Sequence, residues 1–134
     1  MNAPADPTAD QDTDAAPAGP LGTHGATLLD LLSYIYLEND RPEKAAVLLA
    51  ALDELGLADA RQRVSLALAQ LRAGKPESAL STLDRVALQG GLSSAFHLVR
   101  AQTLVALERE AEAEAAMRAY IDLRARQTVP AESR

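Results

Sequence analysis

The sequence predicts an all-α protein: three stacked helix hairpins forming a short α-solenoid, preceded by a disordered N-terminal arm. Three observations carry this. Ala and Leu dominate a chain with 3% aromatic residues, and both lose little side-chain freedom in a helix, whereas a β-sandwich core needs aromatic and β-branched residues. A pattern of small and aliphatic positions recurs every 34 residues. The first 25 residues hold four prolines, four aspartates and no Lys or Arg, with Leu21 the only sizeable apolar side chain after Met1.

Taken in order, residues 1–25 read as an acidic Pro/Ala-rich arm. Pro4, Pro7, Pro17 and Pro20 block helix propagation, and so little apolar surface cannot offset the ~1–2 kcal/mol that ordering each residue costs. Three units follow at 26–59, 60–93 and 94–127, and then a polar C-terminal tail at 128–134. The period is read from sets of positions. Asp40, Gly74 and Glu108 share one step, as do Pro42, Pro76 and Glu110, and Ala45, Ala79 and Ala113. Leu49, Leu83 and Met117 share it too, as do the small residues Ser33, Ala67 and Ala101 and the aliphatics Leu37, Leu71 and Val105.

This spacing predicts helices near 27–38, 43–54, 59–72, 77–88, 93–107 and 110–126. A small residue in each half lets two antiparallel helices approach closely, pairing Ser33 with Ala45, Ala67 with Ala79 and Ala101 with Ala113. Pro42 and Pro76 fall in the first turn of their helices, where a missing N–H does no harm, and Glu43 and Glu77 follow at the positive helix end. Gly90-Gly91 is read as the turn between the fourth and fifth helices.

Several function classes are excluded by composition. With no Cys, there is no disulfide scaffold, thiolate metal site or cysteine nucleophile. His24 and His97 are the only histidines, too few for a multi-His zinc site, and His97 reads as a packed helix residue beside Phe96. No Gly-rich phosphate loop, nucleophile elbow or helical metal motif is present, so no enzyme, cofactor or metal is expected. The net charge of −6 falls to −2 beyond residue 26, and no basic stripe suggests nucleic acid. No apolar run approaches the ~20 residues of a membrane-spanning helix. Glu110, Glu114, Arg118, Asp122 and Arg126 step by four and read as one solvated face of the last helix. A cytoplasmic protein is expected.

A 34-residue helical hairpin with small residues at the close contact resembles the tetratricopeptide repeat. The first-helix Trp, Gly and Tyr of that repeat are replaced by Leu29, Ser33 and Tyr36 in the first unit, by Arg63, Ala67 and Gln70 in the second, and by His97, Ala101 and Leu104 in the third. The resemblance implies that the first helices line a concave groove, formed here by Tyr34, Leu37, Val64, Leu68, Leu71, Leu98, Gln102 and Val105. Six of these eight are aliphatic. Where related modules clamp a terminal carboxylate with Lys, Asn and Arg, this chain has Asp30, Tyr34, Ser65, Ala95 and Val99, so no such clamp is expected. The first helix, LLDLLSYIYL at 28–37, is apolar nearly all round and calls for a cover: a partner, a second copy of the chain (a homodimer) or part of the arm.

Over about 28–126 the chain resembles the small tetratricopeptide chaperones of bacterial type III secretion, of the YscY-type. The stretches that carry this are LLDLLSYIYLENDRPEKAAVLLAAL, Arg100-Ala101-Gln102, and Ala119-Tyr120-Ile121-Asp122-Leu123. The resemblance implies a cytoplasmic, non-enzymatic chaperone holding a small secreted component soluble. Its partners would be a YscX-like export substrate, a needle subunit or a translocator component, together with the export gate. A generic scaffold joining proteins in another bacterial complex is the alternative.

Overall fold

The computed structural model describes residues 22–128, and all the regular structure within them is helical. Six helices follow one another: α1 (Gly22–Glu38), α2 (Pro42–Glu54), α3 (Ala60–Arg72), α4 (Pro76–Leu88), α5 (Ser94–Ala106) and α6 (Glu110–Gln127). They pack as three successive hairpins, α1 on α2, α3 on α4 and α5 on α6, with α2 on α3, α4 on α5 and α3 on α5 joining them into an α-solenoid. Helix α1 starts at Gly22, so four residues assigned to the arm from the sequence, 22–25, are helical. No proline follows Pro20 until Pro42, and nothing in that stretch stops the helix from extending upstream. The rest of the expected arm, and the tail from 129, lie outside the described residues.

The 34-residue step is visible in the backbone itself. Asp40, Gly74 and Glu108 adopt left-handed φ values of 58°, 83° and 60°. After each, the next amide donates to the carbonyl five residues back: Arg41 to Tyr36, Lys75 to Gln70 and Arg109 to Leu104. This bond satisfies one of the carbonyls that a helix end leaves without a partner. Only the middle hairpin has glycine here. An L-residue in the left-handed region costs ~1–2 kcal/mol, partly offset by the lower unfolded-state entropy of a non-glycine residue. Glu108→Gly is therefore expected to stabilise the fold by about 0.5–1 kcal/mol, a few degrees in Tm by calorimetry. Gly74→Ala should destabilise it by at least as much, although open space surrounds the added Cβ. No rise in Tm for Glu108→Gly would refute this account of the joints.

Pro42 and Pro76 occupy the first turns of α2 and α4. At the equivalent start of α6, Arg109 makes a two-pronged contact with Glu112 at 2.7 and 2.9 Å. Helix α3 is fixed by a reciprocal cap: the Gln62 amide donates to Asp59 Oδ1 (2.8 Å) and the Asp59 amide to Gln62 Oε1 (2.9 Å). Ser93 Oγ accepts from the Phe96 amide to start α5. Between α4 and α5, Gly90 turns with φ +81°. A Cβ on Gly91 would lie 2.9 Å from Val86 Cγ1 and 3.0 Å from Ala60 Cβ, so α3 and α4 close on that residue.

The core lies both within and between the hairpins. Leu49, Leu52, Ala58 and Leu66 join α2 to α3, with Ala26 and Leu29 of α1 against them. Val64, Ala67, Ala79, Leu83, Val86, Phe96 and Val99 tie α3, α4 and α5 together. Ala101, Leu104, Ala113 and Ala116 close α5 on α6, and Leu80 of α4 reaches them. All six small residues expected at the close helix contacts are buried, from Ser33 to Ala113. Buried hydroxyls find acceptors: Ser33 donates to the Leu29 carbonyl, Thr103 to the Val99 carbonyl and Thr82 to Gln70 Oε1.

One polar clamp spans two hairpins. Asp53 at the end of α2 accepts from Arg63 Nε of α3 (2.8 Å) and from Arg85 Nη1 of α4 (2.9 Å), and Arg63 also donates to Gln89. Burial alone would raise the Asp53 carboxyl, but the hydrogen bonds and charges of Arg63 and Arg85 outweigh it and hold the group below its ordinary value. Because the folded value is depressed, the clamp contributes fully above the unfolded carboxylate range, near pH ~4, and its contribution is lost as pH falls through the folded value. Asp53→Asn is expected to cost about 1.5–3 kcal/mol at neutral pH. The gap to wild type should close in acid, as urea titrations at stepped pH values will read; a gap independent of pH contradicts the assignment.

Candidate functional site: a three-part concave cleft

Three clefts follow one another across the stack. The first lies between α1, α2 and α3, with Leu31, Tyr34, Leu37 and Leu49 on its walls and the Arg61–Asp30 ion pair (3.0 Å) at its edge. The middle cleft, about 800 Å³, lies between α3 and α5 over Val64, Leu68, Leu98 and Val99, with Arg61, Arg72 and the 90–95 turn around it. The third lies between α5 and α6 over Val105, Ala113 and Met117, with Glu110 and Glu114 at its rim. Arg61 and Ser65 belong to both the first and the middle cleft, and Gln102 to both the middle and the third. Neighbouring clefts thus share wall residues.

Seven of the eight residues read as groove-lining fall on these walls. Tyr34 and Leu37 meet in the first cleft, Val64, Leu68, Leu98 and Gln102 in the middle one, and Gln102 and Val105 in the third. Tyr34 is 59% and Val105 62% exposed, whereas Val64 is buried at the floor and belongs also to the core. Leu71 lines none of the three. It packs half-buried against the middle core cluster instead.

Four features were not foreseen. Val99 joins the floor of the middle cleft rather than only marking a missing clamp residue. Arg61 and Arg72 place guanidinium groups beside that cleft. The 90–95 turn forms one end of it. Helix α6 supplies Met117, Glu110 and Glu114, so two acids of the expected solvated face, themselves exposed, also border an apolar cleft. No ion pair links the members of that face among the described residues, and Glu110, Glu114, Arg118, Asp122 and Arg126 are all exposed. The 34-residue step contained the signal for Met117: its equivalent Leu49 lines the first cleft.

Among the described residues no group of three metal-ligating side chains exists. His97 lies edge-on to Phe96, 5.2 Å between ring centres, and burial, aided by the positive charge of Arg100, lowers its pKa. The chemistry the clefts offer is apolar contact framed by a few charges. Along α1, Leu28 and Leu31, each 54% exposed, and Ile35, 42% exposed, form one apolar stripe, of which Leu31 also lines the first cleft. No helix of the described residues is long and apolar enough to cross a membrane. No protein-family model, curated protein or solved structure matches the chain.

Proposed function

We propose that the protein is a non-enzymatic, cytoplasmic chaperone that holds a short amphipathic segment of a small client in the concave cleft and keeps that client soluble. The observation that carries this is the middle cleft, with its floor of Val64, Leu68, Leu98 and Val99 between two parallel first helices. A cleft of this size with an aliphatic floor suits apolar side chains displayed on one face of a helix or on alternate residues of an extended segment. The resemblance to type III secretion chaperones narrows the client to a small secreted component of that machinery, a YscX-like export substrate, a needle subunit or a translocator, with the export gate as a further contact.

The test is co-expression with small proteins encoded beside this chain. A chaperone raises the soluble yield of one such protein and co-purifies with it. A scaffold joining two folded proteins leaves the solubility of each unchanged, and that result would replace the present reading.

A further inference from the structure

The two neighbouring clefts that share Gln102 carry unlike charges. Arg72, the last residue of α3, stands at the edge of the middle cleft, while Glu110 and Glu114, one turn apart on α6, stand at the edge of the third. Arg61 is already engaged by Asp30, so the first cleft contributes no net charge of its own. Arg72, Glu110 and Glu114 have no ion-pair partner among the described residues. Beneath each charge lies apolar surface: Leu68 and Leu98 in the middle cleft, Val105 and Met117 in the third. Gln102, neutral and exposed, is the step between them.

Resting on the proposed function, we infer that the cleft binds an amphipathic client segment in one direction, with an acidic residue over Arg72 and a basic residue over Glu110 and Glu114. Apolar contact alone is indifferent to chain direction, because Leu68 and Val105 accept an aliphatic side chain from a segment running either way. Unlike charges at two places remove that indifference: the reversed segment sets acid against acid and base against base. Neighbouring clefts are spaced by about one helix diameter, ~10 Å, so the two charges on a helical client are separated by about two turns. The client's signature is an apolar stripe with an acid towards one end and a Lys or Arg towards the other.

The test uses two designed Leu/Ala amphipathic peptides of about 18 residues, some 27 Å long as helices. One carries a central Glu followed about two turns later by a Lys; the other has these charges swapped. Each bears a benzophenone photocrosslinker at its N-terminus and is irradiated with the full chain, and the labelled residues are mapped by mass spectrometry. The Glu-first peptide is expected to label α1 and α3 at least about tenfold more than α6, and the swapped peptide to invert that ratio. The triple variant Arg72→Glu, Glu110→Lys, Glu114→Lys, all at rim positions, should invert both patterns once circular dichroism shows it folded. If it does not fold, the two peptides on the wild-type chain decide alone. Equal labelling of both ends, the same end labelled by both peptides, or no labelling overturns the inference. Labelling that is undirected but lost in Leu68→Asp overturns the direction while leaving the cleft reading intact. Labelling unchanged by Leu68→Asp removes the cleft reading and this inference together.

Discussion

Leu68→Asp is expected to weaken client binding a hundredfold or more and to abolish co-purification, while Arg118→Glu leaves both unchanged. Leu68 stands on the wall of the middle cleft, half-buried against the core beneath. A client covers only the part of this leucine still exposed, which contributes about half of the ~1.5–3 kcal/mol of full burial. A carboxylate in its place forfeits that contribution and must also be desolvated beneath the client. At 1.4 kcal/mol per factor of ten, the two effects reach a hundredfold without any further loss. Arg118 is exposed on α6 and lines none of the clefts, so reversing its charge probes only the solvated face. The comparison is made by pull-down and secretion assay on variants whose circular dichroism and melting match the wild type. A folded Leu68→Asp that holds and exports its client normally moves the site elsewhere, and the stripe of Leu28, Leu31 and Ile35 is then the next surface to mutate.

The second large effect is on stability. Ala79 is fully buried in the cluster that joins α3, α4 and α5, together with Ala67 across the hairpin. Three additional heavy atoms at that point force the two helices apart or drive neighbouring side chains off their rotamers, at a cost of typically ~1–3 kcal/mol. Ala79→Leu is therefore expected to lower Tm by several degrees or more, since one kcal/mol corresponds to about 4–8 °C in a domain of this size. Ala125→Leu, on the exposed end of α6, should leave it nearly unchanged. Equal shifts in the two variants mean that the helix faces are assigned wrongly.

Hairpin order and helix contacts were legible in the chain because one period governed them. A single 34-residue step located Ser33, Ala67, Ala101 and their partners, and all are buried. The prolines marked two helix starts because proline is tolerated in the first turn and hardly anywhere else in a helix. The beginning of α1 was missed for the opposite reason: Gly22-Thr23-His24-Gly25 carries no apolar periodicity, so only the absence of proline spoke for a helix. The capping pair Asp59 and Gln62 was present as an Asp-x-x-Gln pattern and passed unread.

The cleft was legible only in part. Periodicity marks which first-helix residues share a face, and it grouped Val64, Leu68 and Leu98 correctly in space. It does not say how far round the helix the neighbouring hairpin reaches, and so Leu71 was counted with the cleft although it packs inward. Nor does a repeat describe its own end. At the last described hairpin, α6 turns towards the cleft residues that the second helix of the middle hairpin buries, as the contrast between half-buried Met117 and fully buried Leu83 shows. The Asp53 clamp went unforeseen because its members are separated by 10 and 32 residues and obey no period.

The order of packing along the stack also decides how the molecule opens. Among the described residues, α3 and α4 have a hairpin on either side, whereas α1–α2 and α5–α6 each have a hairpin on one side. In a chain of nearest-neighbour contacts, stability is shared through interfaces, so an end hairpin detaches by breaking one interface and the middle hairpin only by breaking two. Amide hydrogen exchange is therefore expected to grade outward, slowest around Leu83 and Val86 and fastest towards the start of α1 and the end of α6. A segment lying across all three clefts acts as an additional neighbour for each hairpin at once. Its binding slows exchange most at the two ends, and the ends then report occupancy from residues that do not touch the ligand.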